Sequence, residues 1–207
     1  LIISFARSKH LKKIIESAKA HNEKVYIYQN CKVEKYADGC GLVSAEIEQH
    51  LDNKTYYFHP RTHLRSEASI VYAISEFFKK EEVGTILEDD CIPSDNFWKL
   101  RNYFLQHHQK QYPFILNGYN PVPKQKKLCR ISQVAYPHVW GWTTNKLVWD
   151  QFLKNYEIGK IILSNNFIFL NDLKSKAYWI IIFWMVKNKK IMTWDYKFLF
   201  FVWKHRI

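Results

Sequence analysis

"GTILEDDCIPSDNFW", residues 84–98, is the stretch on which the reading of the whole chain turns. Ile86 and Leu87 form a short apolar run that drives straight into three adjacent carboxylates, Glu88, Asp89 and Asp90. A run of this kind reads as a buried strand with the acids at its carboxyl end. Ser94 then caps a helix that carries Phe97 and Trp98. In open sheets built of alternating strands and helices, ligands bind beyond the carboxyl ends of the strands. The acids stand where chemistry is expected.

The same alternation extends on both sides. "LIISFA" (residues 1–6) reads as a strand, and Ser8 as the cap of a helix with Leu11, Ile14, Ile15 and Ala18 on one face. "KVYIY" (24–28) and "TYYFHP" (55–60) read as further strands, separated by a polar stretch through Gly39, Cys40 and Gly41. Ser66 opens a second amphipathic helix burying Ile70, Val71, Ile74, Phe77 and Phe78. "FILNGYN" (114–120) gives one more strand, and "PVPKQKK" (121–127) a basic loop. Strands joined by helices imply a largely parallel sheet. The expected fold is α/β, a Rossmann-like, mostly parallel sheet flanked by helices in a single domain spanning 1–207.

The chain has 207 residues, 47% hydrophobic and 17% aromatic, a composition too apolar for disorder. Its longest apolar run, Ala177 to Val186, is ten residues, well short of the roughly 20 needed to span a bilayer. The chain starts at Leu1 without a Met and stops at "WKHRI", which leaves room for a trimmed anchor or C-terminal segment. The cysteines Cys31, Cys40, Cys91 and Cys129 form no C-x-x-C pair. Reduced thiols in a cytoplasmic protein are the favoured expectation, with a Cys31–Cys40 bridge the alternative. The net charge of +12 calls for an anionic partner: nucleic acid, a membrane surface or a phosphorylated substrate.

Acids at a strand end also serve as plain solvated loop residues or as helix caps. The sharper reading is a hard-cation site for Mn²⁺ or Mg²⁺, which takes one or two carboxylates and completes its shell with water and substrate phosphate. Three carboxylates so close repel one another, so without a cation at least one is expected to titrate above its ordinary value.

"GTILEDDCIPSDNFW" resembles the acidic signature of GT-A-fold glycosyltransferases, in which a D-x-D or E-D-D ends a central strand. It is most similar to the group around N-acetylglucosaminyltransferase I and its bacterial relatives, with Pro93, Ser94, Phe97 and Trp98 matching the segment after the acids. "IISFARS" resembles that group's first strand, "YPHVWGWTTNKLVWD" its W-G-W segment, and "TWDYKFLF" its W-D-x-x-F segment. The resemblance implies a manganese- or magnesium-dependent, inverting transfer from a nucleotide-diphosphate sugar, most simply a UDP-sugar, to a glycan or lipid-linked glycan, as in bacterial polysaccharide biosynthesis. Residues 1–120 would form the nucleotide-sugar half and 121–207 the acceptor half.

Carried over residue by residue, the resemblance makes Asp90 the metal ligand and sets Glu88 and Asp89 to orient the ribose and the metal's water shell. Arg7 would meet the donor diphosphate. Asn30 stands where relatives hold the nucleobase with an acid, a departure from the family pattern. Arg65, clustered with Arg61 and His63 ahead of a helix N-terminus, is a candidate phosphate or base contact, or else a solvated arginine. Asp195 would be the catalytic base, a role compatible with capping the helix "YKFLFFVWK". Trp140, Gly141 and Trp142 would border the acceptor, with one indole lining the pocket and the other in the core. His138 lacks a second ligand at metal spacing and reads as structural.

The basic excess would serve phosphate-bearing acceptors at the inner face of a membrane, through Lys124, Lys126 and Lys127 or through Lys187, Lys189 and Lys190. A nucleotidyltransferase should show a glycine-rich phosphate loop, and "SFARSKH" has none. A nucleic-acid-binding protein or nuclease should gather its basic residues in one stripe, whereas here they are spread, so nucleic acid is not the expected partner. A catalytically dead, glycan-binding relative would not need the acids. Residues 156–176 have no assigned place.

Overall fold

The computed structural model describes residues 1–31, 34–108, 111–119, 134, 136–159, 170 and 172–207. Its centre is a six-stranded sheet in the order β3-β2-β1-β4-β6-β5. The strands are β1 (Ile2–Ser4), β2 (Val25–Gln29), β3 (Thr55–Phe58), β4 (Val83–Glu88), β5 (Ile115–Asn117) and β6 (Trp142–Asn145). β1 pairs in parallel with β2 and β4, and β2 with β3. β6 runs antiparallel to both β4 and β5, so the sheet is mixed, with its parallel part as expected.

Helices α1 (Leu11–Ala20), α2 (Ala37–Glu48), α3 (Ser66–Phe78), α4 (Asp95–His107), α5 (Lys146–Lys154), α6 (Leu173–Lys187) and α7 (Trp194–His205) cover the sheet. On one side Leu11, Ile14, Ile15 and Ala18 of α1 pack with Val43 and Ile47 of α2, Trp98 of α4, and Ile2, Ile27 and Leu87 of the strands. On the other, α3, α5, α6 and α7 build a core rich in rings, with Phe77, Trp142, Trp149, Phe152, Phe183, Phe198 and Trp203 buried. At about 25 cal/mol per Å² of apolar surface removed from water, such rings dominate that layer's stabilisation.

Several local expectations need correction. The residue capping α1 is His10, and Ser8 contributes only its carbonyl, accepting the Leu11 N–H at 3.1 Å. The cap of α3 is Arg65, with Ser66 the first helical residue, and Ile70 and Val71 are only half-buried. Ser94 does cap α4, accepting the Phe97 N–H at 3.2 Å. The polar stretch through Gly39 is helix α2. Only Val43 and Ile47, one turn apart, bury apolar surface there, so periodicity gave little signal. Cys31 and Cys40 are paired as a disulfide, Cα atoms 5.9 Å apart, joining the end of β2 to α2 in place of the expected free thiols. Part of 156–176 has a place: Asp172 accepts the Ser175 N–H at 2.7 Å and caps α6. The loop lysines Lys124, Lys126 and Lys127 lie outside the described residues. No helix among the described residues is long and apolar enough to cross a membrane.

Candidate active site

β1 is the point where the strand order reverses: β2 and β3 lie to one side of it and β4 to the other. The carboxyl ends of β1 and β4 therefore flank the crevice in which open α/β sheets bind ligands. Ile3 stands in register with Glu88, so the residues after Ser4 and after Glu88 leave the sheet side by side.

Arg7 joins them. Its guanidinium donates to Asp89 at 2.5 Å and to Asp90 at 2.8 Å. Buried Asp89 also accepts the backbone N–H of Phe5 at 3.2 Å, so both its oxygens hold the loop after β1. Asp90 is about half exposed. Partial desolvation works against the Arg7 charge, but its bonds to Asp89 and its closeness to both acids prevail and hold its pKa above the ordinary value. The expected repulsion falls on Glu88, whose carboxyl is pushed up by burial and then by Asp90 and Asp89, against the pull of Arg7. Asp195 adds to that push, which puts it within electrostatic reach of Glu88.

Asp195 is the second residue of α7. Burial raises its pKa, while the amides of Tyr196 and Asp195 itself draw it down, and Glu67 raises it further. The Thr193 hydroxyl donates to the same carboxylate. The residue capping α7 is Thr193, so the expected cap at Asp195 is corrected to a first-turn carboxylate, where the helix N-terminus favours an anion that burial disfavours.

The start of α7 is held by a group that sequence reasoning missed. Lys197 lies 2.8 Å from Glu67 and 3.7 Å from Glu157, and its ammonium sits 4.1 Å from the Tyr156 ring centroid. The Tyr156 hydroxyl donates to Glu67. Lys197 and Glu67 are both nearly buried, one at the start of α7 and the other at the start of α3. Residues so far apart in sequence offer no local signal.

Asn30 departs from its expected role at the nucleobase. Its amide donates to the Leu64 carbonyl at 2.7 Å and accepts the Leu64 N–H at 3.1 Å, so both ends are spent on the loop before α3. The held loop includes exposed Arg61, His63 and Arg65, and of these His63 lies 6.1 Å from the Phe5 ring in the loop after β1.

Trp140 and Trp142 have opposite fates. Trp142 is buried against Phe198, ring centres 5.0 Å apart, and is a core residue in place of the acceptor contact expected. Trp140 is 57% exposed, beside Tyr119 at 5.4 Å and His138 at 6.1 Å. Asn117 orders this stretch, donating to the Tyr136 carbonyl and accepting the His138 N–H, each at 3.1 Å. Gly141 has φ +72°, and the Gly118 N–H donates to its carbonyl at 2.7 Å; a Cβ on Gly118 would come within 2.2 Å of that oxygen. Asn117 and Ile86 both pair with Trp142, so the exposed aromatics lie at the same end of the sheet as the acids. His138 is in this cluster, its pKa lowered by burial.

Among the described residues no group of three or more His, Cys, Asp or Glu is arranged to hold a metal ion. The donor chemistry instead fits a cation shared with substrate, which needs one or two hard carboxylates and completes its shell elsewhere. Asp90 is such a donor, with a guanidinium already set against it as counter-cation. A cavity of about 100 Å³ lined by Tyr26, Phe77, Glu81, Gly84, Trp98 and Arg101 lies at the opposite end of the sheet and takes no part. No family model, curated protein or solved structure matches the chain.

Proposed function

We propose that this chain is a metal-dependent, inverting glycosyltransferase of the GT-A type, moving a sugar from a UDP-sugar or similar donor to a hydroxyl of a glycan or lipid-linked glycan. The observation that carries the reading is convergence at one end of the sheet. Arg7, just past β1, bonds Asp89 and Asp90, just past β4. The start of α7 that carries Asp195 packs on Trp142 at the same end of the sheet, Trp194 and Trp142 ring centres 6.2 Å apart, although 188 positions separate Arg7 from Asp195 (195 − 7). The acids end a central strand, as in the group the sequence resembles.

Mn²⁺ or Mg²⁺ bound at Asp90 would supply positive charge to the leaving diphosphate. Arg7, anchored by Asp89, keeps its fork at the mouth of the crevice, where it can turn to a phosphate oxygen. Arg61 and Arg65, exposed on the loop that Asn30 holds, would favour the same anion. Asp195 accepts the proton of the acceptor hydroxyl; its raised pKa brings it nearer the working range of a general base. The acceptor oxygen then forms its bond to the anomeric carbon while the bond to the diphosphate oxygen breaks. The leaving group takes that electron pair, and the configuration inverts. Trp140, with Tyr119 and His138, presents ring faces suited to the C–H face of a sugar.

A thermal-shift panel of nucleotides and nucleotide sugars tests the proposal. Nucleoside diphosphates and their sugars should raise Tm with Mn²⁺ and lose the effect in EDTA. Stabilisation by nucleic acid alone, or by no nucleotide at all, would contradict it.

A further inference from the structure

Helix α6 carries its apolar residues all round, LKSKAYWIIIFWMVK, yet only one side is covered. Phe183 and Val186 are buried against the ring-rich core. On the opposite side Leu173, Tyr178, Ile181 and Trp184 are 82%, 53%, 57% and 49% exposed, and Met192 just beyond is 62% exposed. Tyr178, Ile181 and Trp184 follow at intervals of three, so they form one stripe along the helix. A helix that is apolar all round is ordinarily buried, and here half of it faces outward.

The rim of the stripe is cationic. Lys174 lies at one end and Lys187, Lys189 and Lys190 at the other, all exposed, and no acidic residue occurs between Leu173 and Trp194. Lys190 lies over the Trp184 ring at 4.7 Å. Lys189 ends the helix with φ +56°, a conformation in which glycine is the usual residue. A lysine there keeps its charge at a cost in backbone energy.

We propose that this face of α6 docks on an anionic lipid bilayer, lying in the plane of the interface. Trp and Tyr suit the boundary between headgroups and acyl chains, Leu and Ile the hydrocarbon beneath it, and the lysines the phosphates. Fifteen residues of helix are about 22 Å long, too short to cross the hydrocarbon core. A second copy of the chain is a poorer occupant, because a two-fold contact would set the lysine rim against itself. Lys190 stands five positions before Asp195, so docking would bring the start of α7 towards the membrane. The proposal is independent of the transferase reading, since lipid binding requires no nucleotide.

Co-sedimentation with phosphatidylcholine vesicles, with and without phosphatidylglycerol, tests it. The protein should bind the anionic vesicles far more tightly and lose binding in high salt. Each lysine is worth roughly fivefold in partitioning. Changing Lys187→Gln, Lys189→Gly and Lys190→Gln together should therefore weaken binding on the order of 10²-fold. Ile181→Ser with Trp184→Ser should abolish it with the circular dichroism spectrum unchanged. Should those serines disturb folding, brominated lipids give a second readout: they should quench wild-type fluorescence more than that of Trp184→Phe. Equal binding to neutral and anionic vesicles, or full binding by the lysine variant, would overturn the proposal. So would a stable dimer that Ile181→Ser dissociates.

Discussion

The carboxylates at the end of β4 and the carboxylate at the start of α7 are held in opposite ways. Asp89 and Asp90 share one exposed arginine in a loop whose partners come from neighbouring parallel strands. Asp195 sits on a helix anchored by a nearly buried lysine, glutamate and tyrosine group and backed by the aromatic core. In the first arrangement Asp90 can exchange its counter-cation at little cost, because its pair with Arg7 is exposed at both ends and such a pair contributes only about 0–1 kcal/mol. The second is rigid, because breaking a buried pair strands a charge. A site that must accept a charged ligand on one side and fix a base on the other needs this asymmetry.

The largest effect should come from Asp195 itself. Asp195→Asn keeps the shape and an oxygen for the Thr193 hydroxyl but accepts no proton. Turnover should fall about 10²–10⁴-fold with donor binding retained, as steady-state kinetics and calorimetry together can show. Near-normal transfer would reduce Asp195 to a first-turn residue that only favours the helix N-terminus.

Next comes the anchor. Lys197→Met leaves Glu67 buried without its cation, and denaturant unfolding should show a loss of about 3–5 kcal/mol. Asp90→Ala, which removes only the exposed partner of Arg7, should cost about 1 kcal/mol or less in the same assay. Equal costs for the two would erase the contrast between flexible and rigid sides.

That difference also marks what the sequence could and could not disclose. The acids were legible because strand, acids, Ser94 cap and helix follow one another within fifteen residues, and each is a local signal. The parallel strands were legible for the same reason. Trp142 and Trp140 were not separable, because residues two positions apart in an extended chain share a face, and neither the positive φ of Gly141 between them nor the packing of α7 on Trp142 is announced locally. Asn30 was misread because its partner, Leu64, arrives from another loop. The antiparallel β6 was hidden within a segment whose tryptophans drew attention to the acceptor. The Glu67–Lys197–Tyr156 group joins three elements, and no motif of any one of them announces it.

The smallest effect is the pH response of Glu88. Its folded pKa lies above the ordinary value, so between the two values the native state holds a proton that the unfolded chain has lost. Its contribution to stability is therefore present at low pH and declines as pH rises through that window. Subtracting the stability profile of Glu88→Gln from that of wild type should isolate this downward slope. Mn²⁺ with a nucleoside diphosphate should flatten it by relieving the repulsion.

The central claim, that the end of β4 is a metal-dependent diphosphate site, is tested most directly by calorimetric titration of UDP into wild type and Asp90→Ala, with Mn²⁺ and with EDTA. The account predicts binding by wild type only with Mn²⁺, and loss of that binding in a normally folded Asp90→Ala protein. Binding unchanged by EDTA and by the substitution would contradict it.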